Sequence, residues 1–166
     1  MYQHILFATD GSDTANLALK EAISLAKDGA RITAIAVVDN PLANYGSPYG
    51  AMPFNFDAVH EEFLTRAQTI LQETAQAATR AEHIQINTQL IDLGINSSHD
   101  DIAGAIEKAA HDCQADLIVI GTHGRHGFKR FFLGSVAEDV IRQSPIPVLI
   151  VRGPTADQTT DTQQLS

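Results

Sequence analysis

Short apolar runs alternate along the chain with longer stretches in which apolar residues recur every three or four positions. The first run, Ile5, Leu6, Phe7 and Ala8, ends in the turn signal Thr9, Asp10, Gly11 and Ser12. Ala15, Leu19, Ala22, Ile23 and Ala26 then repeat at helical spacing, with Ser12 or Asp13 placed to cap that helix and Gly29 to end it. Residues 32–38 form a second apolar run, rich in β-branched side chains, closing at Asp39, Asn40 and Pro41. A long amphipathic helix is predicted over 57–81, its buried stripe carrying Val59, Phe63, Ala67, Ile70, Leu71 and Thr74. Ile84, Ile86, Thr88 and Leu90 alternate as a third strand. Residues 94–100 read as a turn in which Ser98 or Asp100 caps a third helix bearing Ile102, Ile106, Ala109 and Cys113. Residues 117–120 are wholly apolar, as in the buried centre of a parallel sheet. A fourth helix over 135–143 and a last strand over 148–151, entered between Pro145 and Pro147, complete the pattern.

Strand and helix in alternation imply βαβ units with right-handed crossovers. The expected fold is one α/β domain over 1–152, a doubly wound parallel sheet with helices on both faces. There is no internal repeat. The segment 153–166 is polar apart from Leu165 and is expected to be a disordered tail. Residues 41–56 combine Pro41, Gly46, Pro48, Gly50 and Pro53 with Tyr45, Tyr49, Phe54 and Phe56. That stretch is too long for a simple connection and reads either as a lid or binding loop or as a surface insertion.

Composition narrows the function. A net charge of −9 argues against nucleic-acid and anionic-membrane partners. No apolar run is long enough to span a bilayer, and the first residues read as a strand rather than a leader, so a cytoplasmic location without membrane insertion is expected. The single cysteine, Cys113, has no partner for a disulfide and reads as a small apolar helix residue rather than a reactive thiol. The seven histidines are scattered, without metal-ligand spacing. Charge is unevenly spread: three of the 11 bases (Arg125, Lys129, Arg130) and none of the 20 acids fall within 121–134. A positive loop in an acidic protein suits an anion, or is merely solvated.

In doubly wound sheets ligands sit beyond the carboxyl ends of the strands, where the strand order reverses. Two polar glycine-bearing turns fall at such ends: residues 8–12 after the first strand and 121–127 after the fourth. Gly121 and Gly124 permit close approach of a ligand to backbone, and successive N–H groups in such a loop form an anion nest. Gly134 and Ser135 open the fourth helix, whose free N–H groups and positive dipole end favour phosphate. Asp10 is a candidate for a divalent ion or a ribose hydroxyl, and equally a turn-former capping the next helix. His123 and His126 read first as solvent-exposed loop histidines, and otherwise as contacts to phosphate or aids to proton transfer. Phe128, Phe131 and Phe132 suit packing of the loop or of an interface.

The pattern Gly121-x2-Gly124-x9-Gly134-Ser135 resembles the ATP-binding signature of the universal stress protein family. The similarity extends over residues 2–152, through the opening Asp10-Gly11-Ser12, the Val-Val-Asp that closes the second strand, the Ala-Asp-Leu-Ile-Val-Ile-Gly run, and the terminal Leu-Gly-Ser-Val-Ala-Glu and Pro-Val-Leu-Ile-Val. The resemblance implies a five-stranded sheet in the order 3-2-1-4-5, a homodimer, and bound ATP, with ADP or AMP as alternatives and Mg2+ or Mn2+ on the phosphates. Carried over residue by residue, it places Ala8 and Asp10 beside the nucleoside and the backbone of Val37 at the adenine edge. Gly121, Thr122, His123, Gly124, Arg125, His126 and Gly127 fall around ribose and phosphates, and Gly134, Ser135 and Val136 at the phosphate tail. Ala8 departs from the proline of some relatives. The implied activity is that of an ATP-binding regulatory stress-response protein acting through an unknown protein partner.

Other functions were weighed against it. A slow ATP hydrolase lacks the P-loop GxxxxGK[ST] and a paired carboxylate base, so no catalytic residue is assigned. A phospho-acceptor receiver would need an acid beside Asp10 and a lysine after the last strand, where Arg152 stands, although Asp92 does follow strand three. A dinucleotide oxidoreductase would need GxGxxG after the first strand. A dimeric interaction protein with a vestigial nucleotide site is the remaining reading. In either dimeric case the apolar edge strand Val148–Val151 is expected to pair with its copy.

Overall fold

The computed structural model of the chain describes residues 1–39, 56–81, 84–94, 97, 101–122 and 133–153. The loop over 41–55, the turn cap at Ser98 or Asp100, residues 123–132 with Gly124, both loop histidines and the three loop phenylalanines, and the tail beyond Gly153 lie outside the described residues. In chain order the elements are β1 (Tyr2–Ala8), α1 (Asp13–Leu25), β2 (Ala26–Val38), α2 (Phe56–Ala78), β3 (Ile84–Asp92), α3 (Asp101–Asp112), β4 (Leu117–Gly121), α4 (Ser135–Gln143) and β5 (Val148–Val151). The strands form one all-parallel sheet in the order β3-β2-β1-β4-β5.

Period-two alternation within each strand splits the core into two layers. Ile5 and Phe7 point with Ile32, Ala34, Leu117 and Val119 toward α1 and α2. Leu6 and Ala8 point with Ile35, Ile118 and Ile120 toward α3 and α4. Ile5, Leu6 and Phe7 are fully buried, each contributing about 1.5–3 kcal/mol relative to exposure. That two-sided burial makes β1 the middle strand. β3 and β5, whose residues are mostly half-buried or exposed, form the edges.

Several boundaries differ from the sequence pattern. Helix α1 starts as expected, with Ser12 Oγ accepting from Ala15 N at 3.2 Å. It stops at Leu25, however, and Gly29 lies inside β2. Tyr2 pairs with Ala26 and His4 with Arg31, so two steps along β1 span five along β2 and the surplus bulges out. Gly29, at φ +77, makes the left-handed bend that this bulge requires. On α2 the buried stripe is Ala67, Leu71, Thr74 and Ala78, continued toward the helix start by the half-buried Leu64 and His60, whereas Phe63 lies on its flank and is 42% exposed. Cys113 falls one residue beyond α3 and is half-buried. There the helix closes in a Schellman turn, Ala115 N bonding Ala110 O at 2.9 Å and Gln114 N bonding His111 O at 3.0 Å. Gln114 takes φ +56, a position glycine usually fills.

Candidate functional site

The strand order reverses between β1 and β4, with β2 and β3 on one side and β5 on the other. Ala8 and Ile120 pair across that junction, so the turns after β1 and β4 leave the sheet side by side. The first turn is held by its own side chains: Asp10 Oδ1 accepts from Ser12 N at 3.0 Å and Thr9 Oγ1 from Gly11 N at 3.2 Å. Asp10 thus performs the turn-forming role, with its carboxylate at the mouth of the crevice. Thr9 N donates to Ile35 O at 2.9 Å, and β2 continues past that point, carrying the half-buried Val37 to the lip of the crevice.

The second turn is tied from both sides. Thr122 N donates to Val151 O at 2.9 Å, and Gly134 N donates to Thr122 O at 2.8 Å. The latter bond brings the start of α4 back onto the end of β4 across the intervening loop. Gly134 supplies no side chain to cap α4, whose positive end therefore opens beside Thr122. Thr122 itself is buried at 2% exposure, deeper than a loop donor. Ala8, Asp10, Gly121, Thr122, Gly134 and Ser135 are brought together, with Val37 on the neighbouring strand. Ser135 is exposed, whereas the Ala8 and Val136 side chains pack into the α3–α4 layer and offer only backbone to a ligand.

Both described glycines of the spacing pattern have close neighbours within the chain. A Cβ at Gly121 would stand 3.1 Å from the Thr14 carbonyl carbon and Oγ1 and 3.2 Å from Ala15 N. A Cβ at Gly134 would stand 2.8 Å from Thr122 O. These glycines let the α1 start, the β4 end and the α4 start converge.

The sequence pattern missed a second polar cluster, at the opposite end of the sheet. His4 is 7% exposed, with Nε2 2.9 Å from Thr33 Oγ1, while Asp116 accepts from Gln3 N and His4 N at 2.9 and 3.0 Å. Burial lowers the His4 pKa, Arg31 acts in the same direction, and Asp116 opposes them. A histidine within an apolar strand run was the only signal of this cluster. Burial also pushes the Cys113 thiol upward, against the weaker effect of hydrogen bonds that include Thr33. Asp92, the acid considered for a receiver, ends the edge strand β3, two strands from Asp10. It binds Gly94 N at 2.8 Å and His60 Nε2 at 3.0 Å. That separation removes the acidic pocket a receiver needs. Among the described residues no group of three or more histidine, cysteine or acidic side chains could hold a metal, and no helix is long and apolar enough to cross a membrane.

Sheet order and two-sided helices define a doubly wound α/β protein in which the β1 and β4 ends lie side by side at the strand-order reversal. The profile of the universal stress protein family matches residues 1–152, and the chain belongs to that family. It is 35% identical over 157 residues to universal stress protein MJ0531 of Methanocaldococcus jannaschii, covering 93% of this chain and 84% of that one. The solved structure of protein MJ0577, whose biochemical function was assigned from its structure, superposes with a TM-score of 0.75 at 25% identity, covering 94% of this chain and 99% of that one. A family member from Burkholderia pseudomallei superposes at 0.66 with 28% identity, covering 90% and 96%. More distant structures of the same fold include a universal stress protein in complex with cAMP, at 23% identity and a TM-score of 0.59 over 91% of this chain and 97% of that one. A family member from Arabidopsis thaliana with AMP bound aligns at 13% identity and a TM-score of 0.62 over 96% and 97%.

Proposed function

We propose that this chain binds an adenine nucleotide, ATP foremost and ADP or AMP as alternatives, in the crevice between the β1 and β4 turns. Occupancy would tune its conformation or its hold on a partner. One observation carries this reading: the ends of β1 and β4 and the start of α4 converge at the strand-order reversal, within a chain that has the full glycine spacing. The helix end favours phosphate, Val37 lies where a base would lie, and the bases of 121–134 supply counter-charge. Two structures of the fold carry cAMP and AMP, which supports the adenine class. Gly121 and Gly134 also serve packing; together with Gly124, its neighbours and the first turn of α4 they are the proposed contacts to ribose and phosphate.

Mg2+ or Mn2+ would accompany the phosphates. The Asp10 carboxylate is a hard oxygen donor suited to either ion, held at the crevice mouth by its turn. An ion there would take most of its shell from phosphate and water. No described residue is placed as a base for hydrolysis, so turnover is expected to be absent or slow, below about 1 per second. The apolar edge strand β5 is proposed to pair with its copy in a homodimer. The test is mass spectrometry of nucleotide released from purified protein, with equilibrium binding of ATP and magnesium to the wild type and to Gly124→Leu. Near-stoichiometric nucleotide, lost in a folded variant, supports the reading; a wild type that retains none and binds none at millimolar ATP refutes it.

A second reading is favoured by the same glycine contacts. If packing accounts for the pattern, the chain is a dimeric interaction protein with a vestigial site. The absence of nucleotide, together with a dimer by sedimentation, would select it.

A further inference from the structure

Thr14, in the first turn of α1, lies between the candidate crevice and the end of β5. Its Oγ1 is 3.0 Å from Ser12 Oγ, the hydroxyl that caps α1 beside the Asp10 turn. Its Cγ2 lies against Gly153, where an added Cβ would approach within 3.1 Å. A Cβ added at Gly121 would stand at the same distance from its carbonyl carbon and Oγ1. Gly121 is paired with Val151, and Val151 O accepts from Thr122 N, so the ends of β4 and β5 form one bonded corner. Neither glycine could carry even a methyl group without pressing on Thr14, and displacements in so close-packed a corner are shared rather than absorbed.

We infer that Thr14 is a positioning residue that couples the turn over 9–12 to the residues leaving β5, so that nucleotide ordering the turn also suppresses local opening of 151–153. This rests on the nucleotide reading above and assigns that site a route to the sheet edge. The two arms of the side chain divide the work. The hydroxyl fixes the turn and the methyl carries the contact to Gly153.

Hydrogen–deuterium exchange of full-length protein, with and without ATP and magnesium at about 100 times Kd, tests the coupling. An opening that requires ligand release is suppressed about 100-fold at that concentration, so slowing by about tenfold or more is expected for both 10–15 and 151–153. Thr14→Ser keeps the hydroxyl and removes Cγ2: nucleotide should still slow 10–15 but no longer 151–153. Thr14→Val keeps Cγ2 and removes the hydroxyl that joins Thr14 to Ser12: nucleotide should still slow 10–15, and the slowing of 151–153 should fall as it does in the serine variant. Melting curves without nucleotide separate a general loss of stability, which leaves the ligand-dependent difference intact. The coupling is overturned if bound nucleotide slows 10–15 without 151–153 in the wild type, or if either the serine or the valine variant, while still binding, keeps the wild-type slowing of 151–153. A wild type that binds no nucleotide in equilibrium dialysis overturns the nucleotide reading itself, and the coupling with it.

Discussion

Replacing Gly134 by alanine places a methyl carbon 2.8 Å from the Thr122 carbonyl oxygen, the atom that accepts the Gly134 N–H at 2.8 Å. Relief to an ordinary contact of 3.4 Å needs a shift of about 0.6 Å, and the obstructing atom is backbone rather than a flexible side chain. The shift stretches the bond that ties α4 to β4, worth about 1 kcal/mol. Overpacking adds about 1–3 kcal/mol. Gly134 has φ −62 and ψ 147, which alanine adopts readily, so the entropy lost by the unfolded chain returns about 0.5–1 kcal/mol. The net expectation is a loss of about 2 kcal/mol and a fall in Tm of about 4–8 °C for a domain of this size. Gly104→Ala is the internal control. That glycine lies exposed on α3 with nothing within 4 Å of a built Cβ, so alanine should stabilise by about 0.5–1 kcal/mol. Urea melts of the three proteins read the contrast as shifts of Cm at constant m. A Gly134→Ala variant within about 0.5 kcal/mol of wild type, or a destabilised Gly104→Ala variant, would refute the account of how α4 is docked.

Three further outcomes follow from the same geometry. Because the His4 pKa lies below the ordinary value of 6.5, the unfolded chain takes up a proton that the folded state refuses. Stability from His4 is therefore present above about pH 6.5 and lost as pH falls through the folded value, and His4→Gln should flatten that part of the Cm-versus-pH curve; identical slopes would contradict the assignment. Gln114→Gly removes the left-handed strain of the α3 Schellman turn and should raise stability by about 1 kcal/mol, read by thermal melting. Cys113, half-buried and with its thiol pKa raised by burial, should react with an aromatic disulfide reagent at pH 7.5 about tenfold or more slowly in the native protein than in urea, and equal rates would count against that environment.

Local chemistry was enough to read the elements and the class of fold. Period-two and period-3.6 patterns reflect which face each residue buries, and burial in a doubly wound sheet is strong enough to write itself into every strand. The wholly apolar run at 117–120 belongs to a strand buried on both faces, and Ser12 caps α1 as its position suggested. The glycine spacing pointed to the ends of β1 and β4, where the fold brings Gly121 and Gly134 together. Other features depend on what approaches from elsewhere in the chain. Gly29 looked like a helix stop, but the register between β1 and β2 made it a bulge. Phe63 has the spacing of a core residue, yet the helix turns Leu64 and His60 inward instead and leaves it on the flank. Gly121 read as ligand clearance and Gly134 as the opening of a helix, and only three-dimensional contact revealed Thr14 and Thr122 against them. The His4, Thr33 and Asp116 cluster joins residues of two strands and the one that leads into a third, distant in sequence and adjacent only because β1 lies between β2 and β4. Periodicity records the direction in which a side chain points; the partner it meets there is set by how distant segments pack.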